Sequence, residues 1–144
     1  MRVVIQRTKS SCVRVDGNIV GQCSSGLTLL VGFGLNDSSS EIDYMVNKIV
    51  NLRIFDDENG VMNKSLLDVN GSILSVSQFT LYADTSRGRR PSYINASRDA
   101  LPLYNEFNDK LRKFTDVQTG VFGADMELSL INDGPVTIIL ENGD

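Results

Sequence analysis

Residues 27–52 read LTLLVGFGLNDSSSEIDYMVNKIVNL, and this stretch decides the fold class. Residues 27–33 form an apolar run, which is typical of a strand that is buried on both faces. Ser38 and Glu41 then form a capping-box pattern, and apolar residues follow at 3.6-residue spacing. These apolar residues are Ile42, Met45, Val46, Ile49 and Leu52. The stretch predicts a buried strand followed by an amphipathic helix over residues 39–52 that lies on a sheet.

The flanking segments predict mostly strands and one further helix. The predicted strands cover residues 3–6, 12–15, 19–23, 73 to about 81, 117–122, 126–131 and 136–140. The last two strands are separated by Gly and Pro, which predicts a closing hairpin that turns at residues 132–135. The second helix is predicted from the i, i+3, i+4, i+7 spacing of Ala100, Leu103, Tyr104, Phe107, Leu111 and Phe114. Residues 84–98 have no period and predict a loop.

Composition and length predict one ordinary globular domain over residues 1–144. The chain has 41 % apolar and 22 % charged residues, which excludes disordered and collagen-like classes. No apolar run approaches the roughly 20 residues of a membrane span, and the first residues lack the pattern of a signal peptide. We therefore expect a cytoplasmic protein without a membrane partner.

The absence of histidine limits the chemistry. It excludes the Ser-His-Asp and Cys-His pairs, imidazole as a general base, and His-ligated metal sites. The acidic residues 56–60 are not a calcium loop, because the twelfth position holds Leu67 instead of a glutamate. Gly32 and Gly34 lack the third glycine of a dinucleotide fingerprint, so they predict close packing at the end of a strand.

Charge is unevenly distributed along the chain. The net charge is -4, but residues 1–15 carry +4 and residues 84–98 carry +3. This separation favours a basic face on an acidic body, as expected for a contact with nucleic-acid phosphates. Solvated charges scattered over the surface are the alternative.

Polar residues interrupt an apolar strand at residues 77–80, which read SQFT. A departure of this kind often marks a site, although a strand end that satisfies its own backbone groups explains it equally well. Gly134-Pro135 is a second local irregularity, because a proline without a donor follows a flexible glycine.

Four blocks taken together resemble the D-aminoacyl-tRNA deacylase family, which includes D-tyrosyl-tRNA(Tyr) deacylase. They are SQFTL at 77–81, GRRPSY at 88–93, QTGVFGADM at 118–126 and NDGPVT at 132–137. The resemblance implies an α/β fold with three layers (β/β/α), in which two packed sheets carry two main helices on one outer face. It also implies a homodimer with active sites at the subunit interface.

The resemblance further implies a metal-independent enzyme without a cofactor. Such an enzyme hydrolyses the ester of D-aminoacyl-tRNA, in some members also of glycyl-tRNA, and so protects translation. A non-catalytic nucleic-acid-binding protein of the same fold is the alternative. A small-molecule esterase or D-peptidase is a second alternative, which would leave the basic segments without a purpose.

The resemblance assigns roles to individual residues. The main-chain amides of Phe79 and Thr80 would bind the oxyanion, and Ser77 and Gln78 would line the pocket. Thr80 is also the candidate nucleophile, with water assisted by the ribose 2'-hydroxyl as the alternative. A cis Gly134-Pro135 pair would reach across the dimer, where its carbonyls would face the amino group of the substrate.

The basic segments supply the candidate tRNA contacts. These residues are Arg7, Arg87, Arg89 and Arg90. Each would approach a phosphate of the tRNA.

Overall fold

A computed structural model describes residues 1–142, so the last two residues of the predicted domain lie outside the described residues. In chain order its elements are β1 Arg2–Val15, β2 Asn18–Cys23, β3 Gly26–Gly32, α1 Ser39–Asn51, β4 Phe55–Asp56, β5 Met62–Lys64, β6 Ser72–Ser77, a 3₁₀ helix Phe79–Tyr82, α2 Ala100–Leu111, β7 Val117–Thr119 and β8 Glu127–Glu141. No helix within residues 1–142 has the length and apolar content that crossing a membrane requires.

The long strand β1 organises the main sheet, whose strand order is β2-β1-β3-β6-β7. The first half of β1 pairs with β3 and its second half pairs with β2, both antiparallel. Strand β8 pairs with β1 along nearly its whole length. β3, β6 and β7 run parallel to one another, so the sheet is mixed.

The main sheet curls until its ends β2 and β7 approach each other. A Cβ on Gly21 would lie 2.4 Å from the carbonyl oxygen of Thr119, so only glycine fits at this crossing. The amide of Gln22 donates to Oε1 of Gln118 over 2.8 Å. Two β layers therefore face each other, and the predicted α/β class is confirmed. The two predicted sheets are halves of one nearly closed sheet.

Helices α1 and α2 pack on one face of the sheet and form the main core with it. The predicted capping box is present. Its carboxylate half is the hydrogen bond that the Ser38 amide donates to Glu41 Oε2 at 2.7 Å, and the Ser38 hydroxyl also donates to this oxygen at 2.6 Å. The bonds from Ser38 lower the pKa of Glu41 to about 2. α1 buries Ile42, Met45, Val46, Ile49 and Val50. α2 buries Tyr104, Phe107, Asn108 and Leu111.

The predicted closing hairpin is wrong. Residues 127–141 form one strand, and the predicted turn at residues 132–135 lies where the pairing with β1 shifts register between Gln6 and Ser10. Such a bulge accommodates the missing donor of Pro135 without ending the strand. The two predicted strands 3–6 and 12–15 are likewise one continuous strand, β1.

The strand predicted from residue 73 to about residue 81 is also too long. β6 ends at Ser77, and the chain turns into the short 3₁₀ helix Phe79–Tyr82. The last bond to the neighbouring strand runs from the Gln78 amide to the Val31 carbonyl over 2.7 Å. The polar residues of the SQFT segment therefore lie at and beyond a strand end.

Candidate active site

A cleft of about 670 Å³ lies at the carboxyl ends of the parallel strands β3 and β6. This edge is where α/β sheets usually bind ligands, and the volume is typical of a small-molecule site. Its walls come from the ends of both strands, the start of the 3₁₀ helix, the start of α2 and residues 122–126. Named side chains on these walls include Phe33, Ser77, Gln78, Phe79, Tyr93, Arg98, Phe122 and Met126.

The turn Phe79–Tyr82, whose first residue lines the cleft, leaves two main-chain donors unpaired. Within the turn and its flanks, the amides of Leu81 and Ala83 donate to the carbonyls of Gln78 and Thr80, over 3.3 and 3.1 Å. The amides of Phe79 and Thr80 begin the 3₁₀ helix, and neither has an acceptor among residues 1–142. Two adjacent unpaired N–H groups form a ready binding site for a developing oxyanion.

The Thr80 hydroxyl has no base beside it. Its one hydrogen-bond partner within residues 1–142 is the side-chain amide of Gln78, which donates to it. The Thr80 side chain is exposed and does not line the cleft, whereas Ser77, Gln78 and Phe79 do. A threonine hydroxyl in this environment is a weak nucleophile.

Two aromatic pairs contribute three lining residues, Phe79, Tyr93 and Phe122, to the cleft. Phe79 and Tyr93 pack edge to face with ring centroids 4.9 Å apart. Phe122 packs on the buried ring of Tyr104 at 5.9 Å. The Tyr104 hydroxyl donates to the Ser75 carbonyl over 2.7 Å, and burial raises the pKa of Tyr104. This bond ties α2 to β6 directly behind Ser77.

The Gly134-Pro135 peptide is cis and lies on β8, and neither residue lines the cleft. Both residues are exposed. Arg7 links this segment to residue 54. Its Nε donates to the Asp133 carbonyl over 3.1 Å, and its Nη1 donates to the Ile54 carbonyl over 2.8 Å. Arg7 is only 6 % exposed. Arg7 is thus buried and bonded within the chain, and a phosphate contact by Arg7 stays a prediction.

The loop between the 3₁₀ helix and α2 presents the other three arginines to solvent. Asp84 and Ser92 close the loop through paired backbone bonds of 2.8 and 2.9 Å. Arg87, Arg89 and Arg90 are exposed, and none has a hydrogen-bond or ion-pair partner in the described part of the chain. Their guanidinium groups are available to an external anion.

The model of the family D-Tyr-tRNA(Tyr) deacylase matches residues 4–141. The chain belongs to this deacylase family. A solved structure of a c-Myc DNA unwinding element binding protein is 39 % identical, with a TM-score of 0.94 over 100 % of both chains. A probable eukaryotic D-amino acid tRNA deacylase is 17 % identical, with a TM-score of 0.83 over 96 % of this chain and 97 % of that chain. The chain is a D-aminoacyl-tRNA deacylase, and the expectation of a hydrolase is confirmed.

The structure also brings residues to the deacylase cleft that the sequence did not single out. Phe33 and Arg98 lie on its walls, and Tyr104 supports one of them. Tyr93 and Phe122 belong to the GRRPSY and QTGVFGADM blocks, but the blocks alone assigned them no role. In this deacylase, residues 1–142 contain no cluster of three or more His, Cys, Asp or Glu side chains that could hold a metal ion.

Proposed function

We propose that this deacylase hydrolyses D-aminoacyl-tRNA at the cleft through main-chain donors, without a covalent intermediate. The unpaired amides of Phe79 and Thr80 carry this proposal. When water adds to the ester carbonyl, the negative charge that forms on oxygen is stabilised by these two N–H groups. The bond between the acyl carbon and the 3'-oxygen of the terminal ribose then breaks, which releases the free amino acid and tRNA.

Water is the nucleophile in this proposal. Thr80 lacks a base, and the neighbouring ribose 2'-hydroxyl supplies a group that relays the proton from water to the leaving oxygen. Because an aminoacyl ester is already reactive, positioning and charge stabilisation suffice for its hydrolysis. This is consistent with a chain that contains no histidine.

Selection of the D configuration requires a second protomer in this proposal. Gly134 and Pro135 are exposed on β8, outside the cleft of their own chain. The same strand exposes Ile131 at 57 % and Ile139 at 63 %, which are apolar surfaces that a homodimer would cover. We place the Gly134-Pro135 carbonyls of one protomer at the cleft mouth of the other, where they face the substrate amino group and exclude an L side chain.

Such a site excludes an L side chain without recognising which D side chain is present. Glycine has no side chain to exclude, so we expect glycyl-tRNA, including glycine mischarged on tRNA-Ala, to be a substrate as well. The loop arginines Arg87, Arg89 and Arg90 are proposed to contact tRNA phosphates. Because its substrate is used in translation, we expect the enzyme in the cytoplasm.

Nucleic-acid binding without catalysis is the second candidate function, because a relative that is 39 % identical is a c-Myc DNA unwinding element binding protein. The free amides at the cleft favour the enzyme. Deacylation of D-tyrosyl-tRNA under single-turnover conditions separates the two, since a binding protein alone produces no free D-tyrosine.

The variant Thr80→Ala tests the mechanism. It removes one hydroxyl and its bond with Gln78, but it keeps the backbone amide, so we expect the single-turnover rate to fall by no more than about tenfold. Ser39→Ala, which removes an exposed hydroxyl that donates to Glu106 at 3.0 Å between the two helices, is the surface control. A loss of about four decades or more, or an acyl-enzyme trapped by acid quench, would overturn the backbone mechanism.

A further inference from the structure

The turn Phe79–Tyr82 has little internal means to hold its position. It has only four residues, none of them buried, and its first two amides are unpaired. A donor pair stabilises an oxyanion only if it stays aimed within a fraction of an ångström. Contacts from neighbouring segments therefore decide its geometry.

Arg2 contacts two residues of the turn, Leu81 and Tyr82. Its Nη1 donates to the Leu81 carbonyl over 2.8 Å, which satisfies an acceptor near the end of the 3₁₀ helix. The same guanidinium stacks over the ring of Tyr82, with its central carbon 4.5 Å from the ring centroid. Its Nε lies 3.1 Å from Oε1 of Glu141. A planar guanidinium makes all three contacts at once, whereas an ammonium group cannot.

The backbone of β1 fixes the position of Arg2 itself, because Arg2 pairs with Gly32 on one side and with Glu141 on the other. Gly32 and Gly34 then form the surface on which the turn lies. A Cβ on Gly32 would be 2.9 Å from the Gln78 carbonyl oxygen, and a Cβ on Gly34 would be 2.9 Å from Cε1 of Tyr82. The turn is thus held between Arg2 and the end of β3.

We propose that Arg2 is a positioning residue for deacylation, which keeps the Phe79 and Thr80 amides aimed at the ester by fixing Leu81 and Tyr82. This inference rests on the proposed oxyanion role of those amides. Arg2 does not line the cleft, so its effect falls on the chemical step and leaves substrate binding unchanged.

The test compares Arg2→Ala and Arg2→Lys with Arg112→Ala in the full chain. Arg112 is a matched control, because it also donates to a main-chain carbonyl, that of Val117 at 3.3 Å, and pairs with a carboxylate, that of Asp109 at 3.1 Å. Arg112 lies at the end of α2 and does not touch the turn. The three measurements are kcat and KM on D-tyrosyl-tRNA, the melting temperature, and amide hydrogen exchange of residues 79–83 without substrate.

We expect Arg2→Ala to lower kcat about tenfold, equivalent to about 1.4 kcal/mol, with KM changed less than about twofold. Amide exchange of residues 79–83 should become faster, and Arg2→Lys should recover part of kcat because it keeps the charge over Tyr82. Arg112→Ala should leave kcat and this exchange unchanged, even if it lowers the melting temperature equally.

Unchanged exchange in Arg2→Ala, or a kcat equal to that of Arg112→Ala, overturns the inference. A rise in KM with constant kcat also overturns it, because Arg2 would then bind substrate. Faster exchange with unchanged kcat also overturns the inference. In that case the Phe79 and Thr80 amides would move without affecting the reaction, so they would have no oxyanion role. A wild-type protein that releases no D-tyrosine would instead refute the proposed function, and the exchange data would still report whether Arg2 holds the turn.

Discussion

Replacing Gly134 by alanine tests the proposed chirality filter at its most constrained residue. Gly134 has φ +127°, a conformation that L residues rarely adopt. A Cβ there would lie 2.9 Å from Cγ2 of Val136 and 3.0 Å from Nη2 of Arg7. The substitution therefore forces the backbone to rotate or displaces the guanidinium that holds Asp133.

The magnitude follows from these two effects. A non-glycine residue in such a sparsely populated region destabilises the folded state by about 1–3 kcal/mol. A hydrogen bond to a charged group contributes about 1.5–3 kcal/mol to stability. Weakening the bond between Arg7 and Asp133 therefore adds a fraction of that amount to the destabilisation. We expect a total of roughly 2–4 kcal/mol, or a melting temperature lower by roughly 6–20 °C for a domain of this size.

Gly60→Ala is the matched control. Gly60 also has a positive φ, +75°, but a Cβ there meets nothing within 4 Å. This variant reports the cost of placing a side chain at a positive φ in open space, about 1–2 kcal/mol. Part of this cost is offset because alanine lowers the conformational entropy of the unfolded chain. Thermal unfolding of both variants shows how far the contacts and the larger φ at Gly134 exceed the cost of a positive φ in open space.

The functional assay is single-turnover deacylation of D- and L-tyrosyl-tRNA at a temperature where both variants are folded. If Gly134 and Pro135 exclude the L side chain, Gly134→Ala lowers the ratio of D to L rates about tenfold or more, equivalent to about 1.4 kcal/mol. Gly60→Ala should keep the wild-type ratio. A Gly134→Ala protein with wild-type stability and a wild-type ratio would refute both the contact argument and the filter.

Three further predictions concern charge, metal and pH. Arg89→Glu should weaken D-aminoacyl-tRNA hydrolysis and reduce the slope of log affinity against log salt concentration by about 0.7–0.9 for the lost phosphate contact. Lys113→Glu is the control and should change neither. An equal loss of activity on aminoacyl-adenosine, which lacks the tRNA body, would contradict the phosphate role of Arg89. EDTA should leave the deacylation rate unchanged, since the chain has no histidine, and activity restored by zinc or magnesium would contradict this. The pKa of Glu41 is lowered from its ordinary value of 4.5 to about 2 in the folded protein. The stability difference between wild type and Glu41→Gln should therefore persist above pH 4.5 and vanish as the pH falls towards 2. Urea unfolding at several pH values measures this difference, and a difference that does not change with pH would contradict the capping role.

The parts of the fold that depend on local signals could be predicted from the sequence. α1 spans Ser39–Asn51, within one residue of the predicted helix, because its capping box and apolar stripe act within a few turns. Gly32 and Gly34 pack closely against Leu81 and Tyr82, as predicted for the end of a strand.

The closing strand could not be predicted from its own residues. Gly134 and Pro135 are typical of a hairpin turn, but the partner of β8 is β1, more than a hundred residues earlier in the chain. The first hairpin shows the same limit on a smaller scale. Regular pairing from its turn places Cys12 opposite Gly21, whereas a bulge after Val13 places Cys12 opposite Gln22. Both cysteines are free.

The site was only partly predictable for a related reason. The SQFT segment breaks an apolar pattern, which marks it in the sequence. Arg2 and Tyr104, in contrast, fit ordinary patterns of a strand and a helix. They reach the site through contacts with Leu81 and Ser75, at sequence separations of 79 and 29 residues. No local pattern reports such contacts.

β6 ends at Ser77, about four residues before the predicted end of the strand, and this early end explains why two amides at the site are unpaired. β6 lies between β3 and β7, so a strand that continued to Leu81 would engage successive amides in hydrogen bonds to its two neighbours. Instead the chain leaves the sheet after the Gln78 amide bonds to Val31, and the 3₁₀ turn leaves the amides of Phe79 and Thr80 unpaired at the cleft. The departure from the strand is therefore what frees the proposed oxyanion donors. The turn also loses the support of the sheet, and in our proposal its contacts with Arg2, Gly32 and Gly34 replace that support.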